Sequence, residues 1–89
     1  MFTSFGVETV KKFSIEEIEE ILNEFIEEPD YGMVLRAKGI VAGVDGNWIH
    51  FDYVPGEPDV RHGSADVIGK ICVIGSGINN AKIKELFGV

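Results

Sequence analysis

The chain has few of the residues that build metal, disulfide or nucleic-acid sites. Its 89 residues include one cysteine, two histidines and eight lysines and arginines, against fifteen acidic residues. A single cysteine excludes an internal disulfide, and a net charge of −7 argues against nucleic acid as a partner, because phosphate-backbone binding needs clustered cations. Cys72 lies in the apolar run Lys-Ile-Cys-Val-Ile, which predicts a small buried side chain rather than a nucleophile.

Long hydrophobic runs are also missing. No run approaches the roughly 20 apolar residues that span a bilayer, and the N-terminus lacks the basic-then-apolar pattern of a signal peptide. These features predict a cytoplasmic protein with no membrane partner. No P-loop pattern of the form G-x-x-x-x-G-K-S/T occurs, and no serine has a nucleophile-elbow context, so we expect no catalytic residues and no enzyme activity.

The apolar pattern predicts one domain over residues 1–89 with an α+β fold. Strand formers dominate residues 2–10, 35–43, 47–54 and 67–75, with a short edge extension at Val60 and Arg61 after a proline-rich connection. The order β-α-β-β-β-α favours a mainly antiparallel four-stranded sheet with two helices on one face. The first strand and the first hairpin strand are expected to run parallel, joined by a crossover through the first helix.

Two helices carry clear end signals. Ser14 and Glu17 form a capping box before an apolar stripe of period 3.6, and Pro29 ends that helix. Asn79 is the predicted N-cap of the second helix and Gly88 its C-terminal glycine. The first helix is strongly acidic, which favours a solvated face over a docking site for a basic partner. Its acidic residues are Glu16, Glu17, Glu19, Glu20, Glu24, Glu27, Glu28 and Asp30.

A hairpin turning at Asp45-Gly46 organises the chain, since Asp-Gly between alternating apolar runs is a strong hairpin signal. A two-residue loop would place cations on the same face as the aromatic side chains of the second strand. A three-residue loop, Val44 to Gly46, moves every side chain of the second strand to the opposite face relative to the first strand. The hairpin then has one apolar face and one polar face. We therefore predict the three-residue loop, with Gly46 in the left-handed region and Lys38 opposite Asp52. The predicted apolar face comprises Leu35, Ala37, Gly39, Val41, Ile49, Phe51 and Tyr53.

The polar face of this hairpin is the candidate interaction surface, because an exposed tryptophan among polar residues is typical of a contact site. Its candidate residues are Arg36, Lys38, Trp48, His50 and Asp52. His50 and Asp52 are also weak candidates for a metal site, since side chains two apart on a strand lie on one face. His62 or Cys72 would have to complete that site, and no recognised ligand spacing supports it.

The same hairpin resembles the C-terminal domain of CobW-type P-loop GTPases. The likeness rests on Leu-Arg-Ala-Lys-Gly at 35–39, on Trp-Ile-His-Phe-Asp-Tyr-Val at 48–54 and on Cys-Val-Ile-Gly-Ser-Gly-Ile at 72–78. The motif Glu-Leu-Phe at 85–87 completes it, and the resemblance covers most of the chain.

The resemblance implies an interaction or regulatory domain of a GTPase involved in cobalt or zinc delivery or in cobalamin synthesis. GTP, Mg²⁺ and a transition metal are implied only for the separate GTPase domain, so no cofactor is expected on this chain. The implied partner is the P-loop domain of the same protein, with a client metalloprotein or a second copy as alternatives. A free-standing metal-binding domain using His50 and Asp52 is the other hypothesis from the residues.

Overall fold

The computed structural model describes all 89 residues as one twisted sheet with two helices packed on one face. The strands are β1 (Phe2–Thr9), β2 (Lys12–Phe13), β3 (Met33–Gly43), β4 (Trp48–Val54), β5 (Glu57–Gly63) and β6 (Gly69–Ser76). The helices are α1 (Ile15–Glu27) and α2 (Asn80–Phe87), with a 3₁₀ turn at Pro29–Tyr31. The α+β class and the two helices are confirmed.

The main sheet has the order β1-β6-β3-β4-β5. Both β1 and β3 pair antiparallel with β6, so β1 and β3 run parallel to each other with the last strand between them. This confirms that the two strands joined through α1 run parallel, as expected. The short strand β2 pairs in parallel with the end of β3, where the sequence was expected only to lead into the helix.

The sheet has six strands and not the four predicted, because β2 pairs with β3 and because β5 is a full strand rather than a proline-rich connection with a short extension. Pro58 lies within β5 opposite Tyr53. Since β5 is at the edge of the sheet, the missing N–H of proline does not interrupt pairing on two sides. An edge strand therefore tolerates a residue that would exclude a central strand.

The caps follow the sequence signals. The Glu17 N–H donates to Ser14 Oγ at 3.1 Å, and the Lys82 N–H donates to Asn79 Oδ1 at 3.1 Å. Gly88 ends α2 in the left-handed region at φ 73°. The Glu17 carboxylate forms an ion pair with Lys11 at 3.3 Å, so the second half of the capping box is replaced by a lysine contact.

One core of sixteen buried hydrophobic residues lies between the sheet and the helices. Phe87 of α2 is fully buried and its ring stacks on Phe51 of β4 at a centroid distance of 6.1 Å. Phe13 of β2 makes an edge-to-face contact with the Phe87 ring, at a centroid distance of 6.4 Å. No buried side-chain nitrogen or oxygen lacks a hydrogen-bond partner. No helix is long and apolar enough to cross a membrane.

Candidate interaction surface

The hairpin of β3 and β4 has the predicted three-residue loop. Val41 pairs with Ile49 and Lys38 with Asp52, a register that leaves Val44, Asp45 and Gly46 outside the strands. Gly46 has φ 88°, as expected for the left-handed residue of such a loop. The Asn47 N–H donates to Asp45 Oδ1 at 3.0 Å, and this hydrogen bond lowers the pKa of the Asp45 carboxyl.

At the start of β3 the alternation of buried and exposed side chains differs from the prediction. Val34 is buried and Leu35 is only half-buried, although Leu35 was expected on the apolar face. The register between β3 and β6 shifts between Val34 and Arg36, which is a β-bulge. A bulge adds one residue to one strand and so reverses which side chains face the core beyond it.

The sheet face away from the helices, here called the outer face, carries all five candidate interaction residues. Arg36 and Lys38 are exposed, whereas Trp48, His50 and Asp52 are half-buried, so the tryptophan is less exposed than expected. Residues of the other three strands extend this face. They are Phe2, Ser4, Gly6 and Glu8 of β1, Asp59 and Arg61 of β5, and Lys70, Cys72 and Ile74 of β6.

Ion pairs tie together the β4–β5 side of the outer face. The Asp52 carboxylate lies 3.0 Å from the Arg61 guanidinium and 3.8 Å from that of Arg36. Arg61 also binds Asp59 at 2.8 Å. Arg61 was missed as a surface residue, because β5 was not predicted to extend along β4. Lys38 lies opposite Asp52 as predicted, yet it forms no ion pair, and Arg36 and Arg61 contact that carboxylate instead.

His50 is held by its own neighbours. Its Nε2 donates to the carbonyl oxygen of Ser64 at 2.8 Å, since a carbonyl can only accept. Its ring packs over Gly63, where an added Cβ would lie 2.5 Å from ring atoms. His62 lies elsewhere, with its Nε2 4.0 Å from the Asp45 carboxylate. No three histidine, cysteine or acidic side chains converge on one point, and His50 and Asp52 contact different partners.

Cys72 is exposed, which corrects the prediction of a buried side chain. β6 is central in the sheet, as its apolar run indicates, but only Ile71 and Val73 point into the core. Cys72 and Ile74 point to the outer face, which no helix of this chain covers. The apolar run therefore contributes side chains to both faces of the sheet, and those on the outer face are exposed to solvent.

The acidic side of α1 is solvent-exposed. A groove of about 430 Å³ runs between this helix and β5, lined by Glu16, Glu19, Glu20, Asn23, Pro58 and Val60. None of these glutamates forms an ion pair, and Lys82 reaches only Asp30 beyond the helix, at 3.1 Å. The geometry agrees with a solvated helix face.

An open five-stranded sheet with two helices on its other face defines a small α+β domain with one large uncovered surface. Residues 2–89 match the family described as the cobalamin synthesis protein cobW C-terminal domain. The chain therefore belongs to the CobW C-terminal domain family, as the hairpin motifs predicted. None of the curated protein sequences matches it.

Two solved structures share this fold. One is the Zn(II)-bound YjiA GTPase from E. coli, with a TM-score of 0.73 and 22% identity over 97% of this chain and 28% of that chain. The other is a Zn(II)-bound triple mutant of the YjiA GTPase, with a TM-score of 0.75 and the same identity and coverage. The chain thus spans just over a quarter of the length of these proteins. It contains no P-loop pattern, so the nucleotide site of a P-loop GTPase is not within these residues.

Proposed function

We propose that this domain is a non-catalytic interaction and regulatory domain of a CobW-type GTPase, and that it docks on the P-loop domain of the same protein through its outer face. The family match and the quarter-length coverage of a GTPase support this reading. The observation that carries it is the outer face itself, a five-stranded surface with a tryptophan, cations and apolar side chains that this chain leaves uncovered.

The same proposal includes the biological setting. A domain of this family would act in the cytoplasm, in the delivery of cobalt or zinc or in cobalamin synthesis. GTP, Mg²⁺ and the delivered metal would be held by the P-loop domain. The similar YjiA GTPase was solved with Zn(II) bound, which supports a metal-related role for such proteins. A client metalloprotein and a second copy of the chain are the other partners to test.

Calorimetry with the P-loop domain of the same protein, produced as a separate chain, tests the docking. The double variant Arg36→Glu, Lys38→Glu reverses two charges on the outer face and should abolish detectable binding. The matched control Lys12→Glu, Lys84→Glu reverses two exposed charges elsewhere and should bind like the wild type. Unchanged affinity of the first variant, with its fold verified by circular dichroism, would reject docking through this face.

A further inference from the structure

The central strand β6 has the sequence of a strand that is covered on both faces. Strands with one face in water alternate apolar and polar residues, whereas strands buried on both faces are apolar throughout. Ile71 and Val73 are buried against the helices, but Cys72 and Ile74 face outward and are exposed. No part of this chain packs against these two side chains.

The outer face divides into two parts that differ in how their side chains are satisfied. On the β4–β5 side, Asp52, Asp59 and Arg61 bind one another, and His50 binds the Ser64 carbonyl. The other part, here called the apolar strip, runs across β1, β6 and β3. It borders Arg36, which lies opposite Ile74 and reaches the Asp52 carboxylate at 3.8 Å. The apolar strip comprises Phe2, Gly6, Cys72, Ile74, Met33 and Lys38.

Large apolar side chains mark one end of the apolar strip. Phe2 is 71% exposed and Met33 is 64% exposed, and both pair with Ser76 from opposite sides of β6. Ile74, which is 39% exposed, lies two residues from Ser76 on the same face, so three exposed apolar side chains are grouped around one end of β6. Such patches on a small domain indicate a contact site.

A depression of about 220 Å³ lies at the other end, lined by Lys38, Gly39, Ile40, Lys70, Ile71 and Cys72. Gly6 pairs with Cys72 and has no side chain to cover it. The aliphatic part of a lysine can line an apolar hollow while its ammonium stays at the rim. Lys70 is paired with Asp66 at 3.5 Å, whereas Lys38 has no carboxylate partner. The depression is therefore apolar inside, with one free cation at its rim.

We infer that the apolar strip, rather than the ion-paired part of the outer face, is the centre of contact with the P-loop domain, an inference that rests on the proposed function. The partner segment places an apolar side chain in the depression and a carboxylate against Lys38. The P-loop domain is the favoured occupant because the similar GTPase chains extend far beyond this domain. A second copy is disfavoured because each copy carries a net charge of −7.

Alkylation of Cys72 reports directly on the centre of the apolar strip, because it is the only cysteine in the chain. The probe is the P-loop domain of the same protein, produced as a separate chain, and its fold is checked by binding of a non-hydrolysable GTP analogue. Iodoacetamide modification of Cys72 is followed by mass spectrometry of its peptide. We expect a saturating amount of the P-loop domain to slow the modification at least about tenfold, as expected for a thiol at an interface centre.

Two matched variants separate the parts of the outer face. Ile74 is 39% exposed on the apolar strip and Val54 is 41% exposed at the end of β4. Ile74→Asp should weaken binding about tenfold or more, whereas Val54→Asp should stay within about twofold, because a charge is costly only where water is excluded. Thermal unfolding of both variants shows whether either has lost its fold, and Lys38→Gln provides a second test at an exposed position.

Each outcome decides one question. Protection of Cys72 together with loss of binding in Ile74→Asp supports the apolar strip as the contact. Loss of binding in Val54→Asp alone, with Cys72 still reactive, overturns the inference and leaves the proposed docking intact. Absence of any binding by the wild type overturns the proposed docking. Protection of Cys72 by raising the concentration of this chain alone overturns the inference in favour of a second copy.

Discussion

The ammonium of Lys11 lies 2.7 Å from the carbonyl oxygen of Phe87, the last residue of α2. These two residues are 76 positions apart in sequence. The same ammonium pairs with Glu17 at 3.3 Å and lies 4.7 Å from the centre of the Phe13 ring. Lys11 therefore joins the C-terminus of one helix to the first turn of the other, and a cation at a helix C-terminus complements its dipole.

Replacing Lys11 by methionine should lower the free energy of unfolding by about 1–2 kcal/mol, because the helix dipole contact and a charge-assisted hydrogen bond are both lost. Lys12→Met is the control, since Lys12 is exposed and forms no ion pair. Urea unfolding followed by circular dichroism measures both. Equal stability of the two variants would show that the Lys11 contact contributes nothing.

Phe87 is the aromatic side chain on which the core converges, and it contacts Phe13, Phe25 and Phe51. Phe87→Ala should cost about 3–5 kcal/mol, a large part of the about 5–15 kcal/mol that holds a small domain together. Leu86→Ala, at the neighbouring and only partly buried position, should cost clearly less. A smaller effect at Phe87 than at Leu86 in urea unfolding would contradict this packing.

Substitution of three glycines by alanine distinguishes steric clash from backbone strain as causes of lost stability. An added Cβ at Gly39 would lie 2.2 Å from the Phe51 ring, so Gly39→Ala should destabilise by displacing a core side chain. Gly46 has open space but φ +88°, so Gly46→Ala should cost about 1 kcal/mol through backbone strain alone. Gly6→Ala is the control, with the nearest atom 4.0 Å away and no positive φ.

Thermal unfolding of the three variants gives the ranking. We expect Gly39→Ala to have the lowest midpoint, Gly46→Ala an intermediate one and Gly6→Ala a midpoint equal to or above that of the wild type. A Gly6→Ala midpoint as low as that of Gly39→Ala would mean that the outer face is covered in the isolated domain.

The hairpin loop should make stability depend on pH in the acid range. Hydrogen bonds from the backbone and side-chain amides of Asn47 lower the pKa of the Asp45 carboxyl below its usual 3.8. Because the pKa is lowered in the folded state, the contribution is present above about pH 3.8, the unfolded value, and is lost as the pH falls through the folded value.

Urea unfolding at several pH values between 5 and 2 tests this with Asp45→Asn, which keeps the acceptor oxygen but not the charge. The stability difference between wild type and variant should shrink as the pH falls below about 3.8. Glu57→Gln, at an exposed carboxylate without a hydrogen-bond partner, is the control. A difference that does not change with pH would exclude the loop contact as its origin.

The separate contacts of His50 and Asp52 predict the outcome of a metal titration. The imidazole is bound to the Ser64 carbonyl and the carboxylate to Arg61, so one metal ion would have to break both contacts. We expect equimolar Zn²⁺ or Co²⁺ to leave the backbone amide signals of both residues unshifted in NMR spectra. Joint shifts at His50 and Asp52 that disappear in His50→Ala would instead support a metal-binding domain.

Much of the fold follows from local rules that the residues obey strictly. The loop length of the hairpin follows from the need to place Lys38 and Phe51 on opposite faces of the sheet. The helix starts follow from the capping residues Ser14 and Asn79. The bulge at Val34–Arg36 could not be predicted in the same way, because Leu35 suits a regular strand as well as it suits a bulge. It is visible only as a register shift against β6.

The candidate surface was predictable only in part, because its limits depend on strand order. Val60 and Arg61 were predicted to form a short edge extension, but the sequence did not show that β5 pairs along the whole of β4, so Arg61 was not assigned to the outer face. Cys72 looked buried because its neighbours are apolar, whereas its exposure depends on which face the helices cover. Periodicity shows that a strand has two faces but does not show what lies against each.

The position of β6 has a consequence for how the chain folds as it leaves the ribosome. Because the last strand lies between β1 and β3, those two strands have no partner on their facing edges until residue 76 has been synthesised. The sheet can therefore close only late, through pairings between distant parts of the chain, which favours slow folding. Until then two strand edges are open to pairing with other chains, so any truncation before β6 should yield an aggregating fragment rather than a smaller domain.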